Sequence, residues 1–152
     1  MDAAQNLIVA WDGQQRAPKR APALSIAGAS AAPVIELAGD TSPETYTDPD
    51  RLSPERLFLA SLSHCHMQTF LELCASADIE IEKYVDRAVA HLSIDLDGGA
   101  WISDVVLKPR IVVAAPEQVP TAIALQRAAR EQSLLARSVG FPVRIEPVLS
   151  AA

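Results

Sequence analysis

Three things are scarce in this chain, and each shortage excludes a class of protein. Cysteine occurs only at Cys65 and Cys74. Neither a Cys-x-x-Cys pair nor a histidine pair at ligand spacing accompanies them, so a structural metal site is not expected. Basic charge is outnumbered, with 13 Lys and Arg against 19 Asp and Glu for a formal net charge of −6. That is the wrong sign for a protein whose affinity comes from neutralising phosphates, so nucleic acid is not an expected partner. Apolar runs are short: none reaches the roughly 18 residues of a membrane span. The opening MDAAQNLIVAW also lacks the basic stretch and cleavage site of a signal peptide. The expected compartment is the cytosol, where a pair of thiols is more often free, catalytic or metal-binding than a structural staple.

What is present is enough to fold. Of 152 residues, 49% are hydrophobic and 21% charged, which supplies a core without the charge density of a disordered chain. The length matches one ordinary domain, here expected to span residues 1–152.

The first third reads as a small antiparallel meander, with short strands at 6–11 and 33–37 and alternation at 24–26. Residues 40–52 are rich in turn formers and acids and read as a surface loop. Ser53-Pro54-Glu55 then forms a strong helix start: serine caps an orphan amide, proline fits the first position, and an acid favours the positive helix end. The helix is expected to run from about Pro54 to about Ala77. Its apolar residues, from Leu57 to Cys74, cover most of the circumference, so the helix must be central.

Residues 85–96 alternate with period two, placing Ala88, Ala90, Leu92, Ile94 and Leu96 on one face of a half-buried strand. Asp97-Gly98-Gly99 supplies a hairpin turn. The returning strand carries Trp101, Val105, Leu107, Ile111 and Val113, with Pro109 marking an edge, bulge or bend. A second helix is expected from Pro120 to about Arg137, with Ile123, Leu125, Ala128, Leu134 and Leu135 as its apolar set. Val143-Arg144-Ile145 closes as a strand. The predicted order is β-β-β-α-β-β-α-β, an α+β fold, and so limited a sheet leaves apolar helix surface for a second copy of the chain to cover.

The segment from Ser53 to Met67, SPERLFLASLSHCHM, resembles the signature of the OsmC/Ohr family, the osmotically induced and organic-hydroperoxide-resistance proteins. The resemblance continues through Asp97-Gly98, through Val106 to Arg110, and from Ala129 to Val143, covering roughly residues 51–147. It implies antiparallel sheets around a long central buried helix and a second helix, in an intertwined homodimer with active sites at the interface. The implied activity is a peroxiredoxin-like reduction of organic hydroperoxides, needing thiols and no other cofactor.

Carried over by position, Cys65 matches the peroxidatic cysteine and Glu55 the helix-start glutamate. The arginine that completes the family's site corresponds to Arg16 or Arg20 in the N-terminal loop, with Arg16 preferred. Where the family places its resolving thiol, this chain has Ser133, which cannot form a disulfide. An external thiol reductant is then required, and the alternative function is a non-catalytic small-molecule-binding protein that has lost peroxidase activity.

Geometry adds constraints. Glu55 and Cys65 lie ten residues apart, about 15 Å on a continuous helix. Either Glu55 reaches a partner's Cys65, or an arginine bridges the gap, or the helix breaks. Cys74 sits nine residues from Cys65, on the opposite face and about 13.5 Å along the axis, beyond the roughly 7 Å reach of a disulfide between Cα atoms. His64 and His66 flank Cys65 but cannot both address one site; packing or exposure explains them more simply than catalysis. Ser133 itself is expected to be an ordinary residue inside the second helix.

Overall fold

The computed structural model describes residues 3–11 and 53–152. The elements run β1 (Ala3–Trp11), α1 (Pro54–Ser76), β2 (Ile81–Ile94), β3 (Ala100–Leu107), β4 (Pro109–Val113), α2 (Val119–Gln132), α3 (Leu134–Ser138), β5 (Val143–Ile145) and β6 (Val148–Ala151). The expected strands at 24–26 and 33–37, and the loop carrying Arg16 and Arg20, lie outside the described residues.

Strand β2 is the axis of the sheet. β1 pairs antiparallel with it from Tyr84 to Leu92, so β3 and β4 share its other edge. Their register carries through, with Val89 facing Val106 and Asp86 facing Pro109, and the two are one returning strand interrupted at Lys108. The interruption has a local cause. Pro109 brings no amide to the ladder, and the Lys108 amide instead donates to the Asp86 carboxylate at 2.7 Å. Outside them, β5 and β6 run parallel to β3 and β4. The sheet is therefore mixed at this edge, and β6 is an addition to the predicted elements.

The hairpin between β2 and β3 forms as its sequence suggests, with Gly98 at φ 83°, a conformation glycine adopts without steric cost. Asp95 Oδ1 accepts from the amides of Asp97 at 3.1 Å and Gly99 at 2.6 Å. The expected apolar face, however, ends early. Ile94, Leu96 and Trp101 are exposed. For Trp101 the cause is a bulge: His91 faces Asp104 and Leu92 faces Ile102, leaving Ser103 as the extra residue. One inserted residue reverses the alternation, so Ile102 joins the core side in place of Trp101.

Helix α1 packs along the sheet and divides the core in two. Leu59 and Leu62 lie with Ala88, Ala90, Val105, Leu107 and Val143, while Met67, Phe70 and Cys74 lie with Ile79, Ile81, Tyr84, Ile111 and Val113. Where one cluster gives way to the other, Ser63 on α1 donates to Asp86 on β2 at 2.5 Å. Both are fully buried. Ser63 and the Lys108 amide satisfy the carboxyl and favour its charged form, but burial outweighs them and raises its pKa.

Candidate functional site

The site is built around the middle of α1. The helix begins as expected, with the Ser53 side chain accepting from the Arg56 amide at 3.3 Å and proline in the first turn. It then runs unbroken to Ser76. This removes one of the three arrangements for Glu55 and Cys65: the helix does not break between them. Glu55 Oε2 is buried and has no hydrogen-bond partner among the described residues.

Cys65 is half-buried and free. Facing it is Ser133, whose hydroxyl donates to Cys65 Sγ at 3.4 Å. Sequence reasoning treated Ser133 as a residue within a helix continuing to Arg137; the structure instead ends α2 at Gln132 and restarts at Leu134, with Ser133 in extended backbone at φ −60°, ψ 120°. Its side chain is completely buried. Of the expected apolar set, Leu125 and Leu135 pack against the core, but Ile123 and Leu134 are exposed. The buried residues of α2 are Ala122, Gln126 and Ala129. Spacings of four, three and four from Ala122 to Ser133 follow one helix face, and its small residues let α2 approach α1 closely enough for Ser133 to touch Cys65.

The two histidines diverge, as helix geometry requires. His66 points into the interior, its Nε2 2.8 Å from Gln126 Oε1. Burial lowers its pKa, and the bond to Gln126 opposes that only in part. His64 is partly buried, which lowers its pKa as well. Cys74 lies in the core, where burial pushes its thiol up to about 12. Among the described residues no group of three or more His, Cys, Asp or Glu side chains is placed to hold a metal ion, and no helix is long and apolar enough to cross a membrane.

Fold and site together define a small α+β protein presenting a half-buried thiol from a long central helix. The family model for OsmC-like protein matches residues 47–148, and the chain belongs to that family. An OsmC-like protein of unknown function from Vibrio cholerae is 30% identical over 70% of this chain and 73% of its own, with a TM-score of 0.61. An OsmC-like protein from Mycoplasma pneumoniae (17% identity, 66% and 73% coverage, TM-score 0.54) shares the fold. So does an organic hydroperoxide resistance protein from Elizabethkingia anophelis (21% identity, 68% and 71% coverage, TM-score 0.53). No curated protein matches the sequence.

Proposed function

We propose that the protein is a thiol-dependent hydroperoxide reductase, acting on organic hydroperoxides at Cys65 and recycled by an external thiol. The observation that carries this reading is the contact between Cys65 Sγ and Ser133 Oγ, a half-buried sulfur beside a hydroxyl at the two positions that the resemblance matches to the family's peroxidatic and resolving thiols. The sulfur lone pair of the thiolate attacks one peroxide oxygen, the O–O bond breaks, and the alkoxide leaves and takes up a proton as the alcohol. Cys65 is thereby oxidised to a sulfenic acid. An external thiol condenses with it, releasing water and leaving a mixed disulfide, and a second thiol exchanges with that disulfide to restore Cys65.

Glu55 and Arg16 complete the proposed site, with Arg20 as the alternative cation. A guanidinium beside the sulfur favours the thiolate and stabilises charge on the departing oxygen, and a carboxylate holds the guanidinium fork in place. The buried Oε2 of Glu55, without a partner among the described residues, supports that pairing. On a continuous helix Glu55 cannot touch its own Cys65, so either the arginine spans the two or each is supplied by a different subunit; we favour a cytosolic homodimer with the site at its interface.

Loss of the second thiol at Ser133 favours a second reading, a non-catalytic binding protein. One assay separates the two: consumption of cumene hydroperoxide with a panel of mono- and dithiols, in the parent and in Cys65→Ser. Turnover with at least one donor, abolished in the variant, is expected. A parent no faster than Cys65→Ser with every donor leaves only the binding reading.

A further inference from the structure

We infer that Ser133 is a positioning residue for the Cys65 thiolate: its hydroxyl, released from helix capping by the break between α2 and α3, donates to Sγ and favours the anionic sulfur. The inference rests on the reading of Cys65 as the nucleophile and assigns a role to the residue that replaces the second thiol.

Ser133 occupies the N-cap position of α3 in extended backbone. A serine there ordinarily turns its oxygen back to accept from an amide of the first turn. Here the side chain makes no capping bond. Its backbone is held on both sides, the amide donating to Ala129 O at 2.8 Å and the carbonyl accepting from the Arg137 amide at 3.1 Å. The hydroxyl is thus carried on a fixed backbone, out of solvent, and a buried hydroxyl needs a partner. Among the described residues that partner is Cys65 Sγ. A hydrogen bond donated to the charged form of a group favours that form. The hydroxyl gains and loses no atoms in the peroxide step; it acts before the step, on the fraction of sulfur that is anionic.

Other titratable groups near this contact in the chain are accounted for among the described residues. His66 turns to Gln126, Arg130 Nε donates to Val143 O at 2.7 Å, and Glu131 pairs with Arg127 on the exposed face of α2. His64 on α1 and Arg137 on α3 are the remaining titratable groups near the pair in sequence, and both are present in every variant below.

The test is the pH dependence of iodoacetamide alkylation of Cys65 in the full chain, with Cys74→Ala as a common background, for the parent, Ser133→Ala and Ser133→Thr. Removing the donor is expected to move the alkylation midpoint upward, slowing alkylation at pH 7 severalfold while leaving the high-pH plateau rate unchanged. Ser133→Thr, which keeps a hydroxyl, is expected to titrate with the parent. An unmoved midpoint in Ser133→Ala overturns the inference, as does a Ser133→Thr curve that follows alanine. A Ser133→Ala protein that melts far below the parent with an unmoved midpoint would make the hydroxyl structural only. Because alkylation needs no peroxide, a protein inert to cumene hydroperoxide but shifted by Ser133→Ala would defeat the reductase reading and leave this one standing.

Discussion

Cys65 and Cys74 sit nine residues apart on one unbroken helix, yet one faces a serine hydroxyl at 3.4 Å and the other is sealed among Met67, Phe70, Ile79 and Tyr84. Nine steps of about 100° put them on opposite faces, and the faces meet different partners. Cys74 meets the sheet, where burial raises the thiol. Cys65 meets the junction of α2 and α3, where the chain is extended for one residue and a hydroxyl is presented. Thiol chemistry here follows from the helix face, not from helix membership.

The largest expected effect sharpens that contrast directly. Burial pushes the Cys74 thiol up to about 12, which holds it protonated at neutral pH, and thiolate is the reactive form. Competitive alkylation at neutral pH followed by peptide mass analysis should label Cys65 at least about tenfold faster than Cys74 until the protein is unfolded. Labelling of Cys74 first would reverse the assignment.

Peroxide itself gives the next contrast. One equivalent of hydroperoxide should leave Cys65 as a sulfenic acid or a mixed disulfide, with no Cys65–Cys74 bond, and excess should drive it to sulfinic and sulfonic acids. Ser133→Cys should instead trap a disulfide with Cys65 and resist overoxidation, since the two side-chain atoms need to close from 3.4 Å to the roughly 2.05 Å of an S–S bond. Non-reducing mass analysis reads both outcomes.

Two further experiments concern buried polar groups of the core. Asp86→Ala strands the buried Ser63 Oγ and the part-buried Lys108 amide; a buried orphan donor costs about 1–3 kcal/mol and a part-buried one less. A loss of about 3 kcal/mol in urea denaturation is expected, and a loss below about 1 kcal/mol would mean the contact holds little together. The smallest effect is acid sensitivity at His66. Its folded pKa lies below the ordinary 6.5, so the unfolded chain binds the proton more readily. Stability should be complete above pH 6.5 and decline as pH falls from there toward the folded pKa. Asp86, whose pKa is raised above 3.8, acts oppositely and at lower pH: the folded state takes up its proton first and recovers some stability. His66→Gln should flatten the decline just below pH 6.5 in a melting series.

Much of this was legible in the chain. Ser53-Pro54-Glu55 announced the start of α1 because capping and proline geometry are local, and alternation from Ala88 to Leu92 announced β2 because one sheet face must be buried. The failures share a cause. Trp101 was assigned to the core by counting in twos, and the bulge at Ser103, which depends on the partner strand, reversed the count. Ile123 and Leu134 read as inward because they are apolar, but both are exposed: on α2 the buried residues are Ala122, Gln126 and Ala129, and Leu134 lies past the break, on α3. Gln126, the buried partner of His66, carries no signal in composition; its spacing of four from Ala122 and three from Ala129 was the available clue.

By itself the sequence determined the central helix and the alternating hairpin strands, because helix caps, turn glycines and periodicity act within a few residues and need no partner; the position of Cys65 was legible only through the resemblance of its motif. Tertiary structure alone decided which thiol is sealed and which is met. The contact between Cys65 and Ser133 joins residues far apart in the chain, and it exists only because a stripe of small side chains lets α2 lie close to α1. The break at Ser133 then turns its hydroxyl away from its own helix toward the sulfur.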